Sequence, residues 1–138
     1  MPPLLFPSFS LFARSISAIF EAEGEPFFRR LEGQVLTGAV NKYAETTAVL
    51  SLGGGTVTVP GAAALLQEKT LCIYLQASLE TLRQRLQGQA EHRPLAAADL
   101  AALLAAREPL YRQAAHIVLE TDGLTPDELT DEIIISCL

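Results

Sequence analysis

Arginine and glycine, more than any acid, base or thiol, are the residues of this chain whose types and spacing could do chemistry. The formal net charge is −6 and the only lysines are Lys42 and Lys69, so no basic stripe exists for a polyanion, and nucleic-acid binding is excluded. In such an acidic chain each of the eight arginines is available for one particular anionic ligand or carboxylate partner. Three patterns carry the most promising of them: Gly24-Glu25-x-x-Phe28-Arg29-Arg30-x-Glu32, then Leu52-Gly53-Gly54-Gly55, then Arg93-Pro94-Leu95 followed by Arg107-x-Pro109-Leu110-Tyr111. Taken singly, Arg29 reads as a surface helix arginine paired with Glu25 or Glu32, a contact contributing about 0–1 kcal/mol. Three glycines after a strand let backbone approach a ligand and expose N–H groups to it, although a tight strand-to-loop turn is the plain alternative.

Other reactive types offer less. His116 opens an apolar strand as a satisfied core histidine would, and His92 flanks a polar segment. No His/Cys/Asp spacing supports a metal site built by the protein alone, and no serine has an evident partnered base. Cys72 and Cys137 have neither zinc spacing nor disulfide density, which fits a reducing cytoplasm. Prolines and Arg14 interrupt the apolar first twenty residues and a basic n-region is missing, so neither an export signal nor a membrane span is expected.

The elements that must position these groups follow from period and caps. At 138 residues, 49% hydrophobic and 19% charged, the chain is expected to fold as one domain over residues 14–138, with residues 1–13 an irregular leader. Ile16, Ile19 and Phe20 recur at helical spacing up to Gly24, and Pro26 starts a second helix with the stripe Phe28, Leu31, Val35, Leu36. Thr46–Leu52, Thr70–Leu75 and His116–Glu120 read as strands, the first two as buried ones; 61–67, a helix capped by Ser78, and 97–115 with a kink or fresh start at Pro109 read as helices. Thr125-Pro126-Asp127-Glu128 is a helix-start signal. Alternation of strands and helices implies an α/β fold with a parallel sheet and flanking helices, whose ligands bind beyond the carboxyl ends of strands. The polar segment at about 88–96, between two helices, is the place for a lid.

In this order and at these separations the three patterns, with the Ser15-Ile16-x-x-Ile19-Phe20 helix before them, resemble the shikimate kinase family, from about Ser15 to the C-terminus. The resemblance implies a P-loop NTPase-like fold of the shikimate and nucleoside monophosphate kinase type. It implies ATP-dependent, Mg²⁺-assisted phosphorylation of shikimate in chorismate and aromatic amino acid biosynthesis, by a cytoplasmic monomer without nucleic-acid or membrane partners. At the family's matching positions Arg29 and Arg107 would clamp the single carboxylate of shikimate, Gly54 would lie against the substrate, and Arg93 of the lid would act catalytically on the ATP phosphates. Arg85 would border the nucleotide. Another small P-loop kinase, such as one for gluconate, and a non-catalytic degenerate kinase domain are the alternatives.

Phosphoryl transfer in this family needs a Gly-x-x-x-x-Gly-Lys-Ser/Thr loop, and these 138 residues contain no such run. Lys42 sits in Asn-Lys-Tyr and Lys69 in Glu-Lys-Thr. The family's aspartate pair after its second strand is missing as well, since Asp99, Asp122, Asp127 and Asp131 all lie in the last third. The expectation is therefore a chain lacking the first strand, its helix and the phosphate loop, a unit of about 30 residues or more, marginally stable and inactive by itself.

Overall fold

The computed structural model describes residues 15–87 and 99–138, so Arg93, His92 and the expected lid lie outside the described residues. The element order is α1 (Ile16–Lys42), a 3-10 turn (Thr56–Thr58), α2 (Ala62–Lys69), β1 (Ile73–Gln76), α3 (Leu79–Leu86), α4 (Leu100–Ala114), β2 (Ile117–Glu120) and α5 (Pro126–Ser136).

Helix starts obey local chemistry. The side chains of Ser15, Ser78, Asp99 and Thr125 each accept a hydrogen bond from a first-turn N–H, and Thr125 with Glu128 completes a reciprocal capping box. Gly24 interrupts α1 with φ 81° and ψ 171°, two residues before Pro26, so α1 is two helical pieces joined across a kink. The kink folds Phe20 back onto Phe28, ring centroids 4.8 Å apart, and closes a small cluster of Ile19, Phe28 and Leu31. Beyond it Leu36 and Val40 pack with Val57, Ala62, Ala63, Leu66 and Ala114 in the main core.

Two glycines in the second piece of α1 have opposite meanings. A Cβ on Gly33 would lie 2.7 Å from Val59 Cγ1, whereas one on Gly38 would meet nothing within 4 Å. Gly38→Ala is expected to stabilise the fold by about 0.5–1 kcal/mol through lower unfolded-chain entropy and better helix propensity. Gly33→Ala is expected to destabilise it by about 1–3 kcal/mol through overpacking. Urea midpoints ranked the other way would contradict this packing of α1 against the 3-10 turn.

Among the described residues the sheet is a parallel pair, with Ile73 opposite Ile117 and Gln76 opposite Glu120. His116 fastens its entrance. The Cys72 N–H donates to His116 Nδ1 at 3.0 Å, so Nε2 carries the ring proton and points it at the Gln67 carbonyl, 2.9 Å away. His116 is thus a bonded structural residue as expected, though an exposed one.

Three expectations fail here. Thr46–Leu52 forms no strand: among the described residues nothing pairs with it, and a strand exists only through its ladder; Val49 is left 80% exposed. β1 begins and ends later than Thr70–Leu75, at Ile73–Gln76, and it is not covered on both faces, because Leu75 is exposed, as is Leu71 ahead of it. Of the kink or fresh start expected at Pro109, the fresh start is not made: α4 runs through Pro109 as one element packed on α2 and the 3-10 turn.

Candidate functional site

Gly53, Gly54 and Gly55 lead into the 3-10 turn, held by Thr56 N–H donating to the Gly53 carbonyl and Thr58 N–H and hydroxyl donating to that of Gly55. Positive φ occurs among the described residues at Gly24, Gly61 and Gly123, not here. Glycine is required in this run for close approach rather than for left-handed backbone. A Cβ on Gly53 would sit 3.3 Å from Glu32 Oε2, and one on Gly54 would sit 3.4 Å from the Tyr111 hydroxyl and 3.5 Å from Arg107 Nη1. One on Gly55 would run into the guanidinium of Arg29. Three consecutive glycines thus face, in turn, a carboxylate, a phenol with a guanidinium, and a second guanidinium.

Arg29 comes from α1, just past the kink, and its side chain keeps only 16% of its exposure. Nη1 donates to Glu32 Oε1 at 2.7 Å and Nε donates to Glu25 Oε1 at 3.3 Å. Helical spacing dictates both partners, at i+3 and i−4. Glu32 is nearly buried and its bond short, while Glu25 is 43% exposed and its bond long, so Glu32 is the anchor and Glu25 the partner a ligand could replace. Phe20 and Phe28 flank the guanidinium carbon at 6.0 and 5.2 Å. The carboxylate-paired reading of Arg29 and its approach to the glycine run are therefore both realised, because a guanidinium has five N–H donors and the two glutamates occupy two.

Arg107 reaches the same run from α4, half-buried, and among the described residues it has no carboxylate partner. Two guanidinium groups from elements far apart in sequence meet adjacent glycines, one neutralised by glutamates and one carrying its charge toward the turn. Such an arrangement suits a single small organic anion: Arg107 supplies the unmatched charge and Arg29 pre-oriented donors.

Arg85 does not join this group. Nη1 donates to the Thr121 hydroxyl and Nη2 to the Thr121 carbonyl, both at 3.1 Å, while Thr121 donates to the Gln76 carbonyl. It clasps α3 to the carboxyl ends of both strands. Beside it Asp122 accepts from the Ser78 N–H at 2.9 Å, and that bond, ahead of the Ser78 hydroxyl and the Arg85 charge, holds its carboxyl below the ordinary carboxylate value. A depressed value means the contact is intact above the unfolded-state pKa and is lost as pH falls through the folded one.

Tyr111, which closes the Arg107-x-Pro109-Leu110-Tyr111 pattern, donates to the Gly54 carbonyl at 2.5 Å. Its spacing of i+4 from Arg107 puts both on one helix face, which was the signal available. Among the described residues no group of three His, Cys, Asp or Glu could hold a metal ion, and no helix is long and apolar enough to cross a membrane.

The family model described as shikimate kinase matches residues 10–138. The shikimate kinase of Dictyoglomus turgidum is 40% identical over 126 residues, 88% of this chain and 72% of that protein. That of Saccharopolyspora erythraea is 41% identical over 126 residues, 88% and 69% of the two chains. Among solved structures, shikimate kinase from Acinetobacter baumannii in complex with shikimate superposes with a TM-score of 0.86 at 30% identity, covering 94% of this chain and 73% of that one. A Bacteroides thetaiotaomicron shikimate kinase shares the fold at a TM-score of 0.76 and 22% identity.

Proposed function

Because the chain belongs to the shikimate kinase family, phosphotransferases that use ATP and Mg²⁺, we propose that Arg29, Arg107 and the Gly53–Gly55 turn form its shikimate-binding site. The observation that carries this reading is the meeting of Arg29 and Arg107 at neighbouring glycines. Arg107 engages the substrate carboxylate in a charge-assisted pair, Arg29 offers the donors its glutamates leave over, and the absence of a side chain at Gly54 lets the substrate lie against backbone. The relative from Acinetobacter baumannii, solved with shikimate, supports the ligand assignment.

Nucleotide and metal chemistry is another matter. The described residues do not fit a triphosphate or Mg²⁺ site: Lys42 and Lys69 end α1 and α2 rather than follow a glycine loop, and no carboxylate cluster is present among them. Arg93, outside the described residues, is assigned to ATP phosphates as the catalytic cation, and Arg85 to the nucleotide border at the strand ends. The 138-residue polypeptide accordingly binds shikimate as a monomer, in a reducing cytoplasm that keeps Cys72 and Cys137 as thiols, and transfers phosphate only where a phosphate loop is supplied.

Calorimetric titration of the purified 138-residue chain with shikimate and with gluconate tests this. Saturable heat with shikimate alone is expected, and no ATP-dependent shikimate phosphorylation. Silence with shikimate removes the site reading; turnover removes the statement about transfer.

A further inference from the structure

The geometry points to Tyr111 as a positioning residue that sets the orientation of the glycine turn toward the ligand, an inference that rests on the shikimate-site reading above. Its hydroxyl donates to the Gly54 carbonyl at 2.5 Å, joining positions 57 residues apart in sequence. The carbonyl of Gly54 and the N–H of Gly55 belong to one trans peptide and point in opposite directions. Anchoring the carbonyl toward α4 therefore turns the Gly55 N–H away from α4 and prevents that peptide plane from flipping, a freedom that consecutive glycines would otherwise have.

Tyr111 is itself held on its other side. Its ring packs on Tyr74 of β1 at a centroid distance of 5.0 Å, tilted by 38°, and Arg112, bonded to Glu108 at 3.0 Å, lies 6.0 Å over the Tyr74 ring. A line of contacts thus runs from the sheet through Tyr74 and Tyr111 to the backbone of Gly54. Arg107, one helical turn before Tyr111, approaches the same glycine. The hydroxyl fixes the spacing between the Arg107 guanidinium and the backbone surface beside it, so one hydrogen bond registers two parts of the proposed site. The ring contact and the hydroxyl are separable: packing on Tyr74 holds α4 on the sheet, and the hydroxyl serves the turn.

Tyr111→Phe keeps the ring and removes only the donor. In the 138-residue chain the expected result is a shikimate Kd raised about fivefold, the scale of one hydrogen bond, with amide exchange accelerated at Thr56 and Thr58, whose N–H groups close the turn, and unchanged in α2 and β1. Wild-type protein should in addition show nuclear Overhauser contacts between the Tyr111 ring protons and the α protons of Gly54, a readout independent of whether the variant folds. Unchanged affinity in Tyr111→Phe beside normal wild-type binding, or no such ring contact, overturns this inference alone. A wild-type chain that does not bind shikimate overturns it together with the site reading.

Discussion

Arg107→Ala is expected to lower shikimate affinity by about 100-fold, the effect of losing a charge-assisted fork worth on the order of 1.5–3 kcal/mol or slightly more. Arg107→Lys retains the charge and loses the planar geometry, and is expected to cost about tenfold. The ordering comes from the contrast between the two arginines. Arg29 is already engaged with Glu25 and Glu32, so removing it also leaves the nearly buried Glu32 without its partner and mixes a stability loss into any binding loss. Arg107 has no such partner among the described residues, and its removal should leave the melting temperature nearly unchanged. Titration calorimetry and thermal melts on both variants measure the two effects separately; affinity within threefold of wild type for Arg107→Ala would remove Arg107 from the site.

Gly55→Ala is the second large effect, and its cause is space. The backbone of Gly55 has φ −95° and ψ −3°, open to any residue, yet an added methyl has to displace the Arg29 guanidinium. The displaced guanidinium must break its 2.7 Å bond to Glu32 or move off Phe28, so a stability loss of about 1–3 kcal/mol is expected together with loss of shikimate binding. Arg29→Ala should open that space. A double-mutant cycle by urea denaturation then gives a coupling of about 1–2 kcal/mol, with Gly55→Ala mild in the Arg29→Ala background. Strict additivity would show that the two residues do not touch.

Legibility of the site followed the range of its interactions. Arg29 with Glu25 and Glu32 was readable because i−4 and i+3 neighbours share a helix face, and the kink at Gly24 was signalled by Pro26 two residues later. Arg107 and Gly54 were singled out only as members of a pattern, and Tyr111 was passed over, because the contact that gives it meaning crosses from α4 to the glycine turn. The bonds of Arg85 to Thr121 were not legible in the sequence, because they depend on α3 lying beside the end of β2.

Sequence alone settled what is closed within a turn of helix: the caps at Ser78 and Thr125, the capping box with Glu128, and the helical stripes that bury Phe28, Leu31 and Leu36. Tertiary structure alone decided that 46–52 has no ladder, that α4 runs through Pro109, and which glycine faces which side chain. A cap needs one donor and one acceptor a few residues apart, so its entropy of closure is small and the local pattern suffices. A strand or a glycine contact needs a partner brought from elsewhere in the chain, and only the packed fold determines whether that partner arrives.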